Sequence, residues 1–189
     1  MSFIETINEE NATGKLEKVY KKIAGARGGV ANVMKIHSLN PRAMEDHFEL
    51  YKTIMFRKSE LSRTLREMIG VLVSAINECE YCIEHHCVPL RTMNVENDII
   101  AALSRGEIPG ELDEKNQSIL YFSKKLTLQP KKNKEAIEVL KKVGWGDSAV
   151  LDATMVCAYF NFVNRIVLAL GASMEENFED TCKNAKRIK

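Results

Sequence analysis

Residues 59–87 read SELSRTLREMIGVLVSAINECEYCIEHHC. Ser59-Glu60-Leu61-Ser62 opens a helix, and Leu65, Met68, Ile69, Leu72, Val73 and Ile76 then recur at three- and four-residue steps. That apolar face is too broad for a single neighbour, so the segment is predicted to be a core helix packed on several sides. The period does not run on unchanged into residues 77–87, where cysteine and histidine replace the aliphatic residues.

Working outward, the same helical period recurs throughout the chain, and alternation of Val, Ile and Thr is nearly absent. Asn40-Pro41 pairs an N-cap with a proline at the first helical position, and Met44, Phe48, Tyr51 and Met55 follow on one stripe, which predicts a helix over 41–56. Further helices are expected at 14–25, 95–104, 112–127, 133–143, 147–170 and 173–184, punctuated by Gly106, Pro109-Gly110 and Gln129-Pro130. The fold class is therefore all-α. No segment has linker composition, so residues 1–189 are expected to form a single all-helical domain. An offset of about 85 residues lays Glu67 over Asp152 and Cys79 over Asn164, a weak match compatible with two degenerate helical repeats.

The 189 residues carry 27 basic and 26 acidic side chains, a formal charge of +1. Such a mixed-sign chain offers no basic face for a nucleic-acid backbone. The acidic N-terminus lacks the basic start and apolar run of a secretory signal. The longest apolar stretch, residues 149–172, contains Asp152, Asn161, Asn164 and Arg165, each costly in hydrocarbon, and reads as a buried helix and not a membrane span. A cytoplasmic location is expected, where thiols stay reduced. There, five cysteines argue against a structural disulfide framework and for redox or metal chemistry wherever two are paired.

Chemistry concentrates in residues 77–87, which hold Cys79, Cys82, Cys87, His85 and His86. On a helix Cys82 lies about 60° from Cys79, and His86 falls between the two, so all three share a face. Asn77 followed by Glu80 resembles a capping box, which would begin a helix at Glu78 and put Cys79 in its first turn. Backbone N–H groups there, and an imidazole four residues beyond Cys82, would favour the thiolate at both cysteines. With an ordinary thiol pKa near 8.5, about 3% is ionised at pH 7, whereas a shift to about 6 makes roughly 90% nucleophile. A Cys-x-x-Cys pair suits disulfide cycling, one sulfur attacking and the other resolving. Glu67 is the candidate to orient His86. On one continuous helix it would lie about 18 Å from Cys79, so the chain must reverse near Asn77 to form a carboxylate–imidazole–thiol relay.

The set Glu67, Cys79, Cys82 and His86 resembles the AhpD-like alkylhydroperoxidase (peroxidase-related) branch of the carboxymuconolactone decarboxylase superfamily. The likeness extends over about residues 30–171, with Leu39-Asn40-Pro41 opening a helix and Asn161 to Gly171 similar to a late helix of the peroxidase-related subgroup. The resemblance implies an AhpD-like helical bundle and a thiol peroxidase or disulfide oxidoreductase in antioxidant defence. In it Cys82 would be the peroxidatic thiol, Cys79 the resolving thiol, and His86 with Glu67 the proton relay. The partners implied are a hydroperoxide substrate and a dithiol reductant such as a protein-bound lipoyl group, or a peroxiredoxin. The broad apolar helices suggest a homo-oligomer, whether dimer, trimer or hexamer. One departure stands out: many active members have a histidine directly before the second cysteine, where this chain has Tyr81.

Two other classes compete. A lyase of the decarboxylase kind would treat the thiols as passengers, although the superfamily's decarboxylases generally lack the cysteine pair. A noncatalytic zinc or redox-sensing module could draw on Cys79, Cys82, His85 and His86, but structural zinc sites usually take ligand pairs from two separated segments, and adjacent imidazoles on one helix point about 100° apart. No metal ligand is assigned, and no cofactor is expected, since Gly25-Ala26-Arg27-Gly28-Gly29 lacks the spacing and strand context of a phosphate loop. Cys87, Cys157 and Cys182 show no paired spacing. His37 and His47 are expected to be solvent-facing or locally hydrogen-bonded. Asn161, Asn164 and Arg165 form a polar stripe on an apolar helix, a pattern that marks a subunit interface or a satisfied network more often than a substrate site.

Overall fold

In a computed structural model, residues 2–27, 29–176 and 178 are described. Among them the secondary structure is helical: a 3-10 turn at Glu9–Asn11, then α1 (Gly14–Arg27), α2 (Asn32–Lys35), α3 (Pro41–Phe56), α4 (Arg63–Ile76), α5 (Glu80–Thr92), α6 (Asn97–Ser104), α7 (Glu114–Leu128), α8 (Lys134–Lys142) and α9 (Asp147–Leu170). The all-α expectation holds, and α3 and α9 have the predicted bounds. The helix expected at 173–184 does not begin there: residues 173–176 are coil and turn, and most of the remainder lies outside the described residues, as does Cys182.

The chain forms two compact units, one of residues 1–53 and 166–189, the other of residues 54–165. In the first, the N-terminal strand-like segment is tied by the Phe3 N–H and the Ser2 hydroxyl, both donating to the Leu170 carbonyl, and by the Ile7 N–H donating to Ser38 Oγ. His37 and His47 meet here at 3.3 Å between ring nitrogens, the locally hydrogen-bonded alternative of the expectation, and His47 is buried. Burial, the dominant cause, and the neighbouring His37 push the His47 imidazole down to about 3.

The second unit is built on α4. Ser62, the last residue of the expected opening Ser59–Ser62, caps it by accepting from the Leu65 N–H, and the helix begins at Arg63. Every residue from Leu65 to Ser74 is buried, as the broad apolar face requires, and the helix packs against α5, α6 and α7. Glu67 and Arg66 are within this buried run. α9 is long and apolar enough by composition to cross a membrane. Its polar residues nevertheless bond within the protein: Asp152 accepts from Arg57, and Asn164 donates to Ser74 Oγ, so it is a core helix.

Five helices end alike. After α4, α5, α6, α8 and α9 one residue turns left-handed, at Glu78, Asn94, Gly106, Gly144 and Gly171, and the following N–H donates back five residues, as in a Schellman cap. Glycine and asparagine are the residues that tolerate this conformation; Glu78, at φ 57°, is the exception.

Candidate active site

That exceptional turn carries the site. The Glu78 N–H donates to the Ala75 carbonyl and the Cys79 N–H to the Ser74 carbonyl, at 3.0 and 2.9 Å, which closes α4 and reverses the chain. Cys79 becomes the N-cap of α5, and Asn77 the C-cap of α4. The predicted capping box does not form: a left-handed Glu78 cannot be helical, so α5 starts at Glu80, and Cys79 sits at the cap and not in the first turn. An Asn-x-x-Glu pattern fits the end of one helix as well as the start of another.

The reversal brings together what the spacing separates. His86 Nδ1 donates to Glu67 Oε2 at 2.5 Å, and the other carboxylate oxygen accepts from Arg63. Glu67 is fully buried. Burial alone would push its carboxyl up, but His86 and Arg63 outweigh that and hold it below the ordinary carboxylate range. With Nδ1 committed to the carboxylate, Nε2 is the nitrogen that accepts or delivers a proton. The imidazole is further fixed by the edge of the Phe160 ring, with centroids 4.6 Å apart and planes at 89°. Phe160 reaches it because Gly70 has no side chain; a Cβ there would stand 2.5 Å from the ring.

Cys79 and Cys82 are both buried, with sulfurs 3.0 Å apart, a hydrogen-bonded dithiol rather than a disulfide of about 2.05 Å. The two sulfurs share a proton unequally. The hydrogen bond with Cys82 is the main influence holding the Cys79 thiol below its ordinary value; burial opposes it, and the Cys82 N–H and the Asn164 carboxamide assist. Cys82 is pushed far up by the same bond to Cys79, by burial and by the Cys79 charge. The expectation of two low-pKa thiols is thus corrected: two sulfurs in contact accept one negative charge, and only Cys79 is held below its ordinary value.

Tyr81, in the position of the family histidine, stacks on His85 with centroids 3.9 Å apart, and His85 Nδ1 bonds to the Tyr81 carbonyl at 2.7 Å. His85 is therefore engaged within its own helical turn. Cys87 lies against Ser104, and Cys157 against Thr127 and the Ser123 carbonyl. Among the described residues no group of three or more His, Cys, Asp or Glu side chains is arranged to hold a metal ion. A groove of about 620 Å3 between α7 and α8, lined by Tyr121, Leu128 and Val139 among others, includes none of the four predicted site residues.

Of Glu67, Cys79, Cys82 and His86, named from the sequence, the structure joins Glu67 to His86 and Cys79 to Cys82. Sequence reasoning overlooked Arg63, although the i,i+4 spacing to Glu67 was a usable signal, and it overlooked Gly70 and Phe160. Asn161, Asn164 and Arg165 form a network, as one of the two expectations for that stripe had it. Asn77 Nδ2 donates to the side-chain oxygens of Asn164 and Asn161 at 2.9 and 3.2 Å, and Arg165 donates to Asn161 Oδ1 at 3.1 Å.

Comparison with known proteins bears on the fold. The model of the carboxymuconolactone decarboxylase family matches residues 41–120, which include Glu67, Cys79, Cys82 and His86. An alkylhydroperoxidase AhpD core structure, an uncharacterised peroxidase-related protein from Ralstonia eutropha JMP134, is similar with a TM-score of 0.84 and 21% identity, over 98% of each chain. A second uncharacterised peroxidase-related protein, from Silicibacter sp. TM1040, is 25% identical with a TM-score of 0.76, covering 92% of this chain and 88% of that one. The debrominase Bmp8, solved as a cysteine-to-alanine variant with 2,3,4-tribromopyrrole, has a TM-score of 0.77 at 18% identity, over 98% of this chain and all of its own.

Proposed function

We propose that the chain, whose residues 41–120 match the carboxymuconolactone decarboxylase family, is an AhpD-like member of that superfamily and a thiol-dependent peroxidase that reduces alkyl hydroperoxides through Cys79 and Cys82. The observation that carries the reading is the buried Glu67–His86 contact of 2.5 Å on the two helices whose turn presents a hydrogen-bonded thiol pair. A structural cysteine pair has no use for an oriented imidazole; a thiol that must pass protons to a leaving group does.

In the cycle, the Cys82 proton crosses the 3.0 Å to Cys79, leaving Cys82 as the attacking thiolate. Its sulfur bonds to the terminal oxygen of the hydroperoxide, the O–O bond breaks, and the alkoxide takes a proton from His86 Nε2 and leaves as an alcohol. Glu67 stabilises the imidazolium before that transfer. Cys79 then attacks the Cys82 sulfenic acid, water departs, and a disulfide remains. Two thiols are oxidised and one peroxide is reduced to alcohol and water. A dithiol, a protein-bound lipoyl group or a peroxiredoxin partner, exchanges with the disulfide to reset the pair. The cycle suits a reducing cytoplasm, and the protein works as a homo-oligomer without a cofactor.

The test is intact-mass and free-thiol analysis of reduced, metal-stripped protein before and after one equivalent of cumene hydroperoxide, followed by dihydrolipoamide. Loss of two thiols at Cys79 and Cys82, reversed by the dithiol with one peroxide consumed, is the expected result. Unreacted thiols would overturn the reading. Disulfide formation without turnover would point to redox sensing, and activity on a lactone that survives Cys79→Ser/Cys82→Ser to a lyase. Because Bmp8 is a debrominase, 2,3,4-tribromopyrrole is the comparison substrate. Dimedone trapping assigns the sulfurs: a sulfenic acid should persist in Cys79→Ser and be missing in Cys82→Ser.

A further inference from the structure

We infer that Asn164 is a positioning residue of the thiol pair, its carboxamide clamping the α4–α5 turn to α9 and turning its N–H end toward both sulfurs. This deepens the redox reading of Cys79 and Cys82 and rests on it.

Asn164 is completely buried on α9, where an asparagine is disfavoured unless each polar atom is satisfied. Its partners lie on either side of the last turn of α4. Asn164 Nδ2 donates to Ser74 Oγ at 3.0 Å, and Asn164 Oδ1 accepts from Asn77 Nδ2 at 2.9 Å. Ser74 is also the residue whose carbonyl receives the Cys79 N–H, and Asn77 stands two residues before Cys79. One side chain thus grips the end of α4 at two points just before the bend and sets where Cys79 caps α5.

The same bonds fix which way the amide faces. Asn77 Nδ2 is a donor only, so the Asn164 atom it meets is the oxygen, and the nitrogen must lie on the opposite side. One hydrogen on that nitrogen serves Ser74. The other is left for the neighbouring sulfurs, and the Asn164 carboxamide acts on Cys79 and on Cys82 alike, favouring the charged form of each. A donor shared by both sulfurs does what the cycle asks, because charge must pass from Cys79 to Cys82 without either becoming an unsolvated buried anion. The clamp extends outward through Asn77 to Asn161 Oδ1, which also accepts from Arg165.

The test measures the pH dependence of iodoacetamide alkylation at Cys79, mapped by mass spectrometry, with far-ultraviolet circular dichroism as the folding control. It needs no peroxide, so it separates this inference from the peroxidase reading, whose failure would be seen as wild-type protein that does not consume peroxide. Asn164→Ala is expected to move the alkylation inflection upward and slow alkylation at pH 7 about tenfold, as a shift of one pH unit implies. Asn164→Asp, with a carboxylate at both sulfurs, is expected to move it further still. That order, Asp above Ala above wild type, is one a merely structural role would not produce. If neither Asn164 variant folds, Ser74→Ala carries the test: the amide loses its orienting acceptor and alkylation should slow two- to threefold. An unchanged inflection in folded Asn164→Ala, or in Ser74→Ala where the others fail, overturns the inference.

Discussion

Four described cysteines are buried, yet they fall into two kinds. Cys87 and Cys157 sit inside packed helices, each against a hydroxyl, and burial pushes both thiols up, Cys157 to about 11. Cys79 is as buried as Cys157 but is held below its ordinary value, because a second thiol shares a proton with it and the start of a helix lies beside it. Burial therefore does not decide whether a cysteine is inert. What decides is whether the surroundings stabilise a charge once burial has made charge expensive, and here a helix reversal collects a thiol, an amide and helix N–H groups at one point.

The sharpest way to break that contrast is to exchange the cysteines' fates. Cys82→Ser is expected to abolish peroxide turnover, and Cys79→Ser to allow at most one event per molecule, whereas Cys157→Ser should keep turnover within about twofold of wild type. Coupled reduction of cumene hydroperoxide with dihydrolipoamide reads all three. Equal losses in all three variants would put Cys157 and the pair in one class.

Glu67→Gln acts one step further from the sulfurs. The amide is nearly isosteric but cannot stabilise an imidazolium, so turnover is expected to fall about 10²-fold, within the usual range for general acid–base catalysis. Alkylation of Cys79 should change far less. If peroxide turnover and alkylation fell together, Glu67 would be setting the thiolate and not the proton transfer.

These residues differ in how legible they are in the chain. α3 and α9 can be read to the residue because Asn40-Pro41 and the long apolar period are local signals. Glu67 and His86 are nineteen residues apart, and their pairing is legible only by supposing a chain reversal at Asn77. The reversal exists, but its chemistry is hidden: a Schellman cap is normally announced by glycine, and here Glu78 occupies the left-handed position. A reader of the sequence meets Asn77-Glu78-Cys79-Glu80 and finds a helix start instead. α2, at four residues, is too short to leave a period. Asn164 is visible as a polar residue on an apolar helix, but its bonds to Ser74 and Asn77 span about 90 positions, and nothing local points to them. The Gly70–Phe160 approach is hidden for the same reason.

That approach gives the third prediction. A methyl group at Gly70 would stand 2.5 and 2.8 Å from Phe160 ring carbons, so the ring or the helix must shift. Gly70→Ala is expected to cost about 1–3 kcal/mol in urea unfolding, the usual range for overpacking. Because Phe160 braces His86 and not the sulfurs, turnover should fall more than Cys79 alkylation. The reverse order would mean that the ring supports the thiol pair.

The turn itself can be relaxed without touching either thiol. Glu78 is exposed and left-handed, a conformation that costs a non-glycine residue about 1–2 kcal/mol. Glu78→Gly should therefore stabilise the protein by about 1 kcal/mol in urea unfolding, with Cys79 alkylation unchanged within twofold. If alkylation moved more than this, the strained turn would itself tune Cys79, and the charge argument would need a backbone contribution.

The smallest effect concerns the inert class. Cys157 is raised from an ordinary value of 9.0 to about 11, so the folded protein holds its proton more tightly than the unfolded chain does. For such a group the stabilising contribution is fully present below about pH 9 and is lost as pH rises toward 11, because the unfolded state gains stability by ionising first. Cys79 has the opposite sign: its lowered value stabilises the fold above the unfolded pKa, and that contribution is lost as pH falls. Replacing Cys157 by serine should then flatten the decline of urea stability between pH 9 and 11. Cys79→Ser removes a group that stabilises the fold in that window and at the same time frees Cys82 from the neighbour that raises it, so its alkaline curve should differ from that of Cys157→Ser. Matching alkaline curves for the two variants would mean that both thiols titrate alike, and the distinction between inert and poised cysteines would fail at its electrostatic root.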